Sequence, residues 1–306
     1  MDDDRCCQGG HRERSDTVAA QHAPEQGHTT SAGHTLATGG WLDAHFEAAR
    51  PEYEAMLRAA GFQPGWRVLD AGCGGGPFLP LLAEIVGPTG HLTALDLAPE
   101  NIAAVAARQG TRGLPRPVET RVGSLTELPY PDDTFDGVWC ANTAQYLTDD
   151  ELATALAELR RVVRPGGLVA VKDSDATSTR FTTRNPFLMP HYLEASCRAG
   201  VLGGAGGRGP VRTPEFRAGL ARSGLSDVWA RTWVIERYAP HRPVERQFFA
   251  SFYRAFGEAA AGFDLPEEDQ AEWAWLQEHA EAWVEDPAHA FCEGNVLAVG
   301  QVPPSK

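Results

Sequence analysis

The stretch V-L-D-A-G-C-G-G-G-P, residues 68–77, decides the fold. An apolar run ends at Asp70, a glycine-rich turn follows, and the apolar stretch Phe78–Val86 then has the length of a helix. A strand that passes through a glycine turn into a helix brings free backbone N–H groups and the positive end of the helix dipole to one point. The stretch therefore predicts a site for the polar end of a ligand.

A second carboxylate supports this interpretation. Leu92–Asp96 has the pattern of a buried strand that ends in a carboxylate, where an aspartate can accept hydrogen bonds from both hydroxyls of a ribose. The turn glycines follow G-x-G-x-G and not the dinucleotide fingerprint G-x-G-x-x-G, because Pro77 stands where the last glycine would fall. Together the two segments predict a doubly wound α/β sheet that binds a nucleoside-type cofactor.

Four ordered motifs resemble the class I S-adenosylmethionine-dependent methyltransferases, in particular those of the ubiquinone- and menaquinone-biosynthesis type. The motifs are Val68–Gly76, Leu95–Asn101, Leu128–Asp136 and Leu159–Leu168. The resemblance implies a Rossmann-like α/β fold with a seven-stranded, mostly parallel sheet and S-adenosylmethionine as the cofactor. It also implies that the seventh strand, Phe291–Val302, inserts antiparallel at the edge of the sheet.

The same resemblance implies which residues hold the cofactor. They are Asp70, Gly72, Gly74, Gly76, Asp96, Leu97, Ser124, Leu125 and Asn142. Ser124 stands where relatives usually carry an aspartate, and a neutral hydroxyl accepts a weaker hydrogen bond from the adenine amino group than a carboxylate does. Asn142 follows the fourth strand, where it is expected to contact the methionine portion of the cofactor.

Methyl transfer from a sulfonium needs alignment and the exclusion of water more than it needs a strong acid. A hydroxyl acceptor also needs a base, for which histidine is suited near neutral pH. The candidate catalytic residues are His191 and His45 as bases, Asp173 as an orienting carboxylate or alternative base, and Tyr146 as a ring that stacks on the acceptor or donates to it. A purely structural role is the alternative for each. No Asp/His cluster has the spacing of metal ligands, so no metal is predicted.

The chain divides into a polar, glycine-containing segment, residues 1–40, which predicts a disordered tail, and one methyltransferase domain over residues 41–306. Within the domain, residues 237–288 contain two aromatic helical patterns, Phe248–Phe256 and Glu267–Val284. They predict a helical lid over an apolar or aromatic small-molecule acceptor. A homodimer interface or a second small core is the alternative.

Local signals predict two further boundaries. Pro51 is expected to end or kink a helix that begins at Trp41, with a second helix over Glu52–Ala60. The segment Ser174–Pro190 is rich in Ser and Thr and predicts a polar loop that leaves the fifth strand and reaches the acceptor.

The net charge of −14 argues against a nucleic-acid partner. No apolar run reaches membrane-spanning length, and Met1–Arg5 is not followed by the apolar core of a signal peptide, so a cytoplasmic protein without a membrane partner is expected. The function predicted is methyl transfer to oxygen or nitrogen of a small molecule in biosynthesis, with transfer to carbon left open. The alternatives are an RNA or protein methyltransferase and a non-catalytic binding protein of the same fold.

Overall fold

The computed structural model describes residues 39–110, 114, 116–200 and 208–304, with side chains described from Asp43 onward. The predicted tail lies outside these residues except for Gly39 and Gly40, which already belong to the first helix. Within the described ranges, no helix is both long and apolar enough to cross a membrane.

The described strands form one seven-stranded sheet in the order β3-β2-β1-β4-β5-β7-β6. Their bounds are β1 Arg67–Ala71, β2 His91–Asp96, β3 Glu119–Val122, β4 Phe135–Ala141, β5 Val163–Phe181, β6 Ser226–Tyr238 and β7 Ala290–Gln301. The first five pair in parallel, and β7 runs antiparallel to both of its neighbours. This confirms the predicted α/β fold class.

The predicted place of the seventh strand at the sheet edge is wrong by one position, because β6 forms the edge and β7 lies between β5 and β6. The exposure of the two strands explains the order. Almost every residue of β7 is buried, as an interior strand requires, whereas most residues of β6 are exposed or half-buried.

Helices cover both faces of the sheet. They are α1 Gly39–Ala59, α2 Leu79–Val86, α3 Pro99–Arg108, α4 Asp149–Arg161, α5 Leu188–Arg198, α6 Phe216–Arg222, α7 Pro243–Ala260, α8 Glu267–Glu278 and α9 Ala280–Glu285. Successive strand residues point to opposite faces, so Val68 packs in the cluster formed with α1, α2 and α3, and Leu69 packs in the cluster formed with α4 and α6. The carboxyl ends of β1, β2, β4 and β5 therefore meet along one edge of a core that is closed on both sides.

The prediction of two helices separated at Pro51 is wrong, since α1 continues through Pro51 to Ala59. An interior proline removes one backbone hydrogen bond, but Pro51 lies on the exposed side of the helix. Phe46, Tyr53 and Leu57 are buried against the sheet cluster on the other side. Tertiary packing of that apolar face outweighs the local effect of the proline.

The predicted loop Ser174–Pro190 is also wrong over its first half, because β5 continues to Phe181. The extension pairs with the beginning of β7, with Arg180 opposite Cys292 and Phe181 opposite Phe291, after an irregular stretch that follows Asp175. Phe181 is buried in a third cluster, made by α5, α7, α8 and α9. A long-range strand partner and this cluster stabilise an extended conformation that the polar composition alone does not indicate.

The predicted helical insertion before the last strand is present, with one difference. The pattern Glu267–Val284 forms two helices, α8 and α9, that meet at His279, whose φ of −107° and ψ of 17° are not helical. The insertion packs mainly through aromatic rings, among them Phe252 stacked on Phe256 with centroids 4.0 Å apart. These helices rest on the long ends of β5 and β7, through Phe181 and Phe291.

One carboxylate fixes the segment after β5 to α8. Glu272 accepts hydrogen bonds from the hydroxyl of Thr183, from the N–H of Arg184 at 2.6 Å and from the N–H of Asn185 at 3.2 Å. A carboxylate that accepts from several donors at once is a stronger clamp than a neutral side chain in the same place.

We expect Glu272→Gln to destabilise the fold by about 1–2 kcal/mol, because an amide has only one oxygen for these three donors. Glu278→Gln, an exposed position on the same helix, is the matched control and should change stability by less than about 0.5 kcal/mol. Urea denaturation followed by circular dichroism measures both. Equal stability of the two variants would contradict a clamping role for Glu272.

Candidate active site

The glycine turn between β1 and α2 forms the floor of the candidate site. Gly72 has a φ of +77°, and a Cβ at this position would lie 2.4 Å from the hydroxyl oxygen of Thr143. Thr143 in turn donates a hydrogen bond to the carbonyl of Gly72 at 3.1 Å. Because only glycine allows this approach, the segment after β4 packs directly onto the turn.

Gly74 faces open space. Its φ is +52°, and a Cβ built there meets no atom within 4 Å. The N–H of Gly74 donates to the Oδ2 atom of Asp96 at 2.8 Å, which joins the ends of β1 and β2. The turn is thus held from behind by a carboxylate and leaves a cradle in front that a ligand can fill.

Asp96 is held by the chain that follows it. Its Oδ1 atom accepts from the N–H of Ala98 at 2.9 Å and from the side-chain amide of Asn101 at 3.0 Å. A carboxylate has about four lone-pair sites, and three of them are used here by Gly74, Ala98 and Asn101. One lone-pair site of Asp96 is left for a ribose hydroxyl, whereas the sequence predicted that Asp96 would accept hydrogen bonds from both ribose hydroxyls. The side chain of Leu97, which follows Asp96, is 40% exposed.

Asp70 carries the site's unpartnered buried oxygen. The residue is 1% exposed, and its Oδ2 atom has no hydrogen-bond partner among the residues that the structure describes. Burial, with a smaller contribution from the nearby charge of Asp96, raises the pKa of Asp70 to about 8. An orphaned carboxylate beside a glycine turn suits a ligand that brings a cation, such as the ammonium group of a methionine moiety.

At the predicted adenine end, Ser124 is engaged locally. Its hydroxyl contacts the hydroxyl of Thr126 at 2.8 Å and accepts from the N–H of Thr126 at 3.2 Å. Leu125 is buried in the cluster behind the sheet. Val122, opposite Asp96 in the sheet register, is 47% exposed, so the apolar surface at this end comes from Val122 and Leu97. A purine ring can pack on such surface.

Asp173 and Tyr146 lie together where β5 passes the carboxyl end of β4. Asp173 is fully buried, and its Oδ2 atom accepts from the N–H of Gln145 at 2.8 Å. Burial raises the pKa of Asp173, against the lowering effect of the charge on Lys172. Burial also raises the pKa of Tyr146, and the Asp173 carboxylate adds to that shift. Both groups favour their neutral forms more than they do in water.

His45 reaches the same end of the sheet from α1. Its Nε2 atom lies 2.9 Å from Glu293 of β7 and 3.3 Å from the hydroxyl of Tyr53, and its ring stacks on Phe248 of α7 at 4.5 Å. Burial acts to raise the pKa of Glu293, but the charge and hydrogen bond of His45 and the hydrogen bond of Asn295 outweigh it and lower that pKa. Glu293 is therefore ionised and accepts from His45.

His191 has a different carboxylate partner from the one predicted. Its Nδ1 atom lies 2.6 Å from Oδ2 of Asp269 on α8, and Asn185 donates to the other oxygen of Asp269 at 2.7 Å. Asp173 accepts from Gln145 and Ser174 and makes no contact with His191 among the hydrogen bonds of the described residues. The structure thus brings Asp173 and Tyr146 together and joins His191 to the insertion.

Sequence reasoning missed three polar residues on the face of the sheet that α1 covers. They are Lys172, Glu293 and Asn295. Lys172 is fully buried, and its Nζ atom donates to Oδ1 of Asn142 and lies 3.7 Å from the ring centroid of Tyr53. Burial lowers the pKa of Lys172, while the charges of Asp173 and Glu293 raise it. The available signal was a lysine at the end of the apolar run Leu168–Val171 in a buried strand.

In the part of the chain that the structure describes, no group of three or more His, Cys, Asp and Glu side chains is arranged to hold a metal ion. The candidate site thus has three parts. They are the glycine turn, the carboxylates of Asp70 and Asp96 beside it, and the buried polar cluster where β4, β5 and β7 lie next to one another.

Residues 68–167 match the family described as Methyltransferase domain. A protein of Streptomyces fradiae, named as an uncharacterized 37.1 kDa protein in transposon TN4556, is 38% identical over 163 residues, which are 51% of this chain and 45% of that protein. The demethylmenaquinone methyltransferase of Listeria monocytogenes is 32% identical over 149 residues, which are 42% of this chain and 60% of that enzyme. The chain thus spans less than two thirds of the length of either relative.

Solved structures agree on the fold. A candidate methyltransferase from Bacillus halodurans superposes with a TM-score of 0.53 at 17% identity, over 83% of this chain and 99% of that one. The YcgJ protein of Bacillus subtilis superposes with a TM-score of 0.50 at 19% identity, over 83% and 100%. At this identity the likeness concerns the fold alone. Residues 68–167 thus match a methyltransferase domain, and the sheet order and the glycine turn that surround them agree with the fold of the superposed structures.

Proposed function

We propose that the protein transfers the methyl group of S-adenosylmethionine to a small-molecule acceptor, by in-line displacement at the carboxyl end of β4, beside the middle of β5. The observation that carries the proposal is the unpartnered oxygen of Asp70 beside the open cradle at Gly74. When bound, S-adenosylmethionine supplies an activated methyl group on a sulfonium. Two relatives, the demethylmenaquinone methyltransferase of Listeria monocytogenes and a 2-phytyl-1,4-beta-naphthoquinone methyltransferase of Arabidopsis thaliana, are named for quinone-type acceptors. These names support a small-molecule acceptor here.

The chain's own residues then have defined tasks. Asp70 and Asp96 hold the polar ends of the methyl donor, with the turn from Gly72 to Gly76 between them. Asn142 and Tyr146 border the reacting end, beside the buried carboxylate of Asp173. The helix α1 covers this end and keeps water away, which favours a reaction that starts from a charged sulfonium.

The acceptor side is aromatic, which supports an apolar or aromatic acceptor. The ring of His45 stacks on Phe248, and Tyr53 packs on Phe78 at 5.7 Å. Arg237 of β6 joins the helices on this side, since its guanidinium donates to Glu52 of α1 at 2.7 Å and to Glu245 of α7 at 2.9 Å. These hydrogen bonds connect the insertion to α1, which supports the proposal that the insertion is a lid.

An assay in an extract of the source organism tests the proposed function. Purified protein is incubated with S-adenosylmethionine that carries a radiolabelled methyl group, beside heat-treated protein and the Asp96→Ala variant. We expect label in small organic molecules with the intact protein alone. Label in RNA or protein would favour the macromolecular alternative, and the absence of both label and S-adenosylhomocysteine binding would overturn the proposal.

Gly74→Ala is expected to weaken S-adenosylhomocysteine binding at least about tenfold, because the added Cβ projects into the cradle that the ligand would fill. Gly87→Ala is the matched control, since Gly87 also has a positive φ, +66°, and open space around it but follows α2. Isothermal titration calorimetry measures the affinities. Comparable loss of affinity in the two variants would mean that backbone strain and not occupation of the cradle is responsible.

Asp70 should make binding depend on pH. Below its pKa of about 8 the carboxyl is protonated and gives up its proton when it meets the ligand's ammonium group. Affinity for S-adenosylhomocysteine should therefore rise from pH 6 to pH 8, by up to about tenfold per pH unit. Asp70→Asn removes the titrating group and should flatten this dependence. The same pH profile in the variant and the wild type would contradict the role of Asp70.

A further inference from the structure

Lys172 is a buried cationic side chain at the reacting end of the site, which the roles above do not use. It lies in the middle of β5, opposite Ala141, the last residue of β4. Along β5, Ala170 packs in the cluster under α1 and Val171 packs in the cluster on the other face. By this alternation Lys172 points toward α1, where its Nζ atom meets Asn142 and Tyr53.

Two consecutive residues connect Lys172 to the glycine turn. Asn142 accepts from Nζ through its side chain, and its backbone N–H donates to the carbonyl of Lys172 at 2.8 Å. The next residue, Thr143, donates to the carbonyl of Gly72. Nζ therefore lies one side chain away from the segment that closes on the cofactor cradle, at the end where the methyl group is transferred.

The charges around Lys172 come from three elements. Asp173 is its neighbour on β5, and the charge of Glu293 acts on it from β7. On α1, the ring of Tyr53 lies beside Nζ, and His45 pairs with Glu293. Glu293 is already paired with His45 and accepts from Asn295 at 2.9 Å. Burial favours the neutral amine, and the two carboxylates and the Tyr53 ring favour the ammonium. Burial is the largest effect and lowers the pKa of Lys172 to about 7, so a further charge nearby decides the protonation state near neutral pH.

We propose that Lys172 is the acid–base residue of methyl transfer and that the acceptor is a hydroxyl compound, an inference that rests on the proposed function. With the cationic sulfonium bound, Nζ is a neutral amine. It takes the proton of the acceptor hydroxyl as the oxygen forms a bond to the methyl carbon and the carbon–sulfur bond breaks. The bonding pair passes to sulfur, so the products are a methyl ether, neutral S-adenosylhomocysteine and an ammonium on Lys172, which then returns its proton to solvent.

The charges favour a hydroxyl acceptor over an amine. An amine enters mostly as a cation near neutral pH and would be repelled by the cationic sulfonium, whereas a hydroxyl enters neutral and needs only one base. An aromatic hydroxyl suits the rings of Tyr53 and Phe248 and has a proton acidic enough for an amine to remove.

The geometry favours Lys172 over His45 as this base. Ionised Glu293 can only accept, so the Nε2 atom of His45 donates to Glu293, and this nitrogen, which is the one that faces Glu293 and Tyr53, has no lone pair for the acceptor. His191 is joined to Asp269 of the insertion.

The chain has only two lysines, Lys172 and Lys306, which makes a direct measurement simple. Protein labelled with ¹³C at the lysine Cε position gives two NMR signals, and Lys172→Met assigns them. The pKa of Lys172 is measured in the free protein, with S-adenosylhomocysteine and, below pH 8.5, with S-adenosylmethionine. The two ligands differ by the methyl group and its positive charge, so they form a matched pair.

We expect the pKa of Lys172 to lie well below the ordinary lysine value of about 10.4, and to be lower by at least about 1 unit with S-adenosylmethionine than with S-adenosylhomocysteine. Glu293→Gln should lower it further in every state, because a negative charge is removed. A difference between the two ligands of less than about 0.5 unit, with both bound, overturns the assignment of Lys172 and leaves the proposed function intact.

Two variants test the chemistry itself. Lys172→Met and Lys172→Arg should each bind S-adenosylhomocysteine within about threefold of wild type, yet transfer label to the fraction that wild type labels at least about 100-fold more slowly. Arginine keeps the cation over Tyr53 and a donor for Asn142 but cannot take up a proton near neutral pH. Transfer by Lys172→Arg at the wild-type rate would show that Lys172 is structural. If wild type neither binds S-adenosylhomocysteine nor transfers label, the proposed function itself fails.

Discussion

The hydrogen bond from the N–H of Gly74 to the carboxylate of Asp96 is the contact on which the site depends. It joins the ends of two parallel strands, so the turn after β1 and the turn after β2 take their shapes together. Thr143 then packs on Gly72 and fixes the segment after β4 against the same turn. Three strand ends thus become one surface, because a carboxylate supplies acceptors and the glycines supply room. Without this contact the cradle would have no defined back wall.

How far the sequence predicts this surface depends on how local each part is. The turn from Gly72 to Gly76 and the carboxylate of Asp96 were predictable, because spacing along one strand–turn–helix unit encodes them. The long β5 was not, since its polar second half becomes a strand only by pairing with β7, which follows more than a hundred residues later in the chain. For the same reason α1 passes through Pro51, a local breaker that distant packing outweighs. The roles of His45, His191, Asp173 and Tyr146 in catalysis stay predictions.

The polar cluster shows the same limit in the chemistry. Tyr53, Asn142, Lys172 and Glu293 come from four separate parts of the sequence, and no short motif joins them. They form a unit because they are buried together, so the protonation state of each titratable group depends on the charges of its neighbours. Lysine side chains usually lie on the surface, yet Lys172 is fully buried directly after the apolar run of β5. A lysine at that place in a buried run is a signal that merits attention in other sequences of this fold.

The projecting ends of β5, β6 and β7 have a consequence for how the protein can diversify. The insertion α7 to α9 stands on these ends, so its aromatic interior is mounted on the same backbone that carries the methyl-donor site. A graft of different helices between β6 and β7 would reshape the surface proposed to bind the acceptor, while the register of the seven strands stayed as it is. The segment proposed to bind the acceptor can therefore change in evolution without a change in the segment that holds the methyl donor. The scaffold can keep one reaction and exchange the compounds that it modifies.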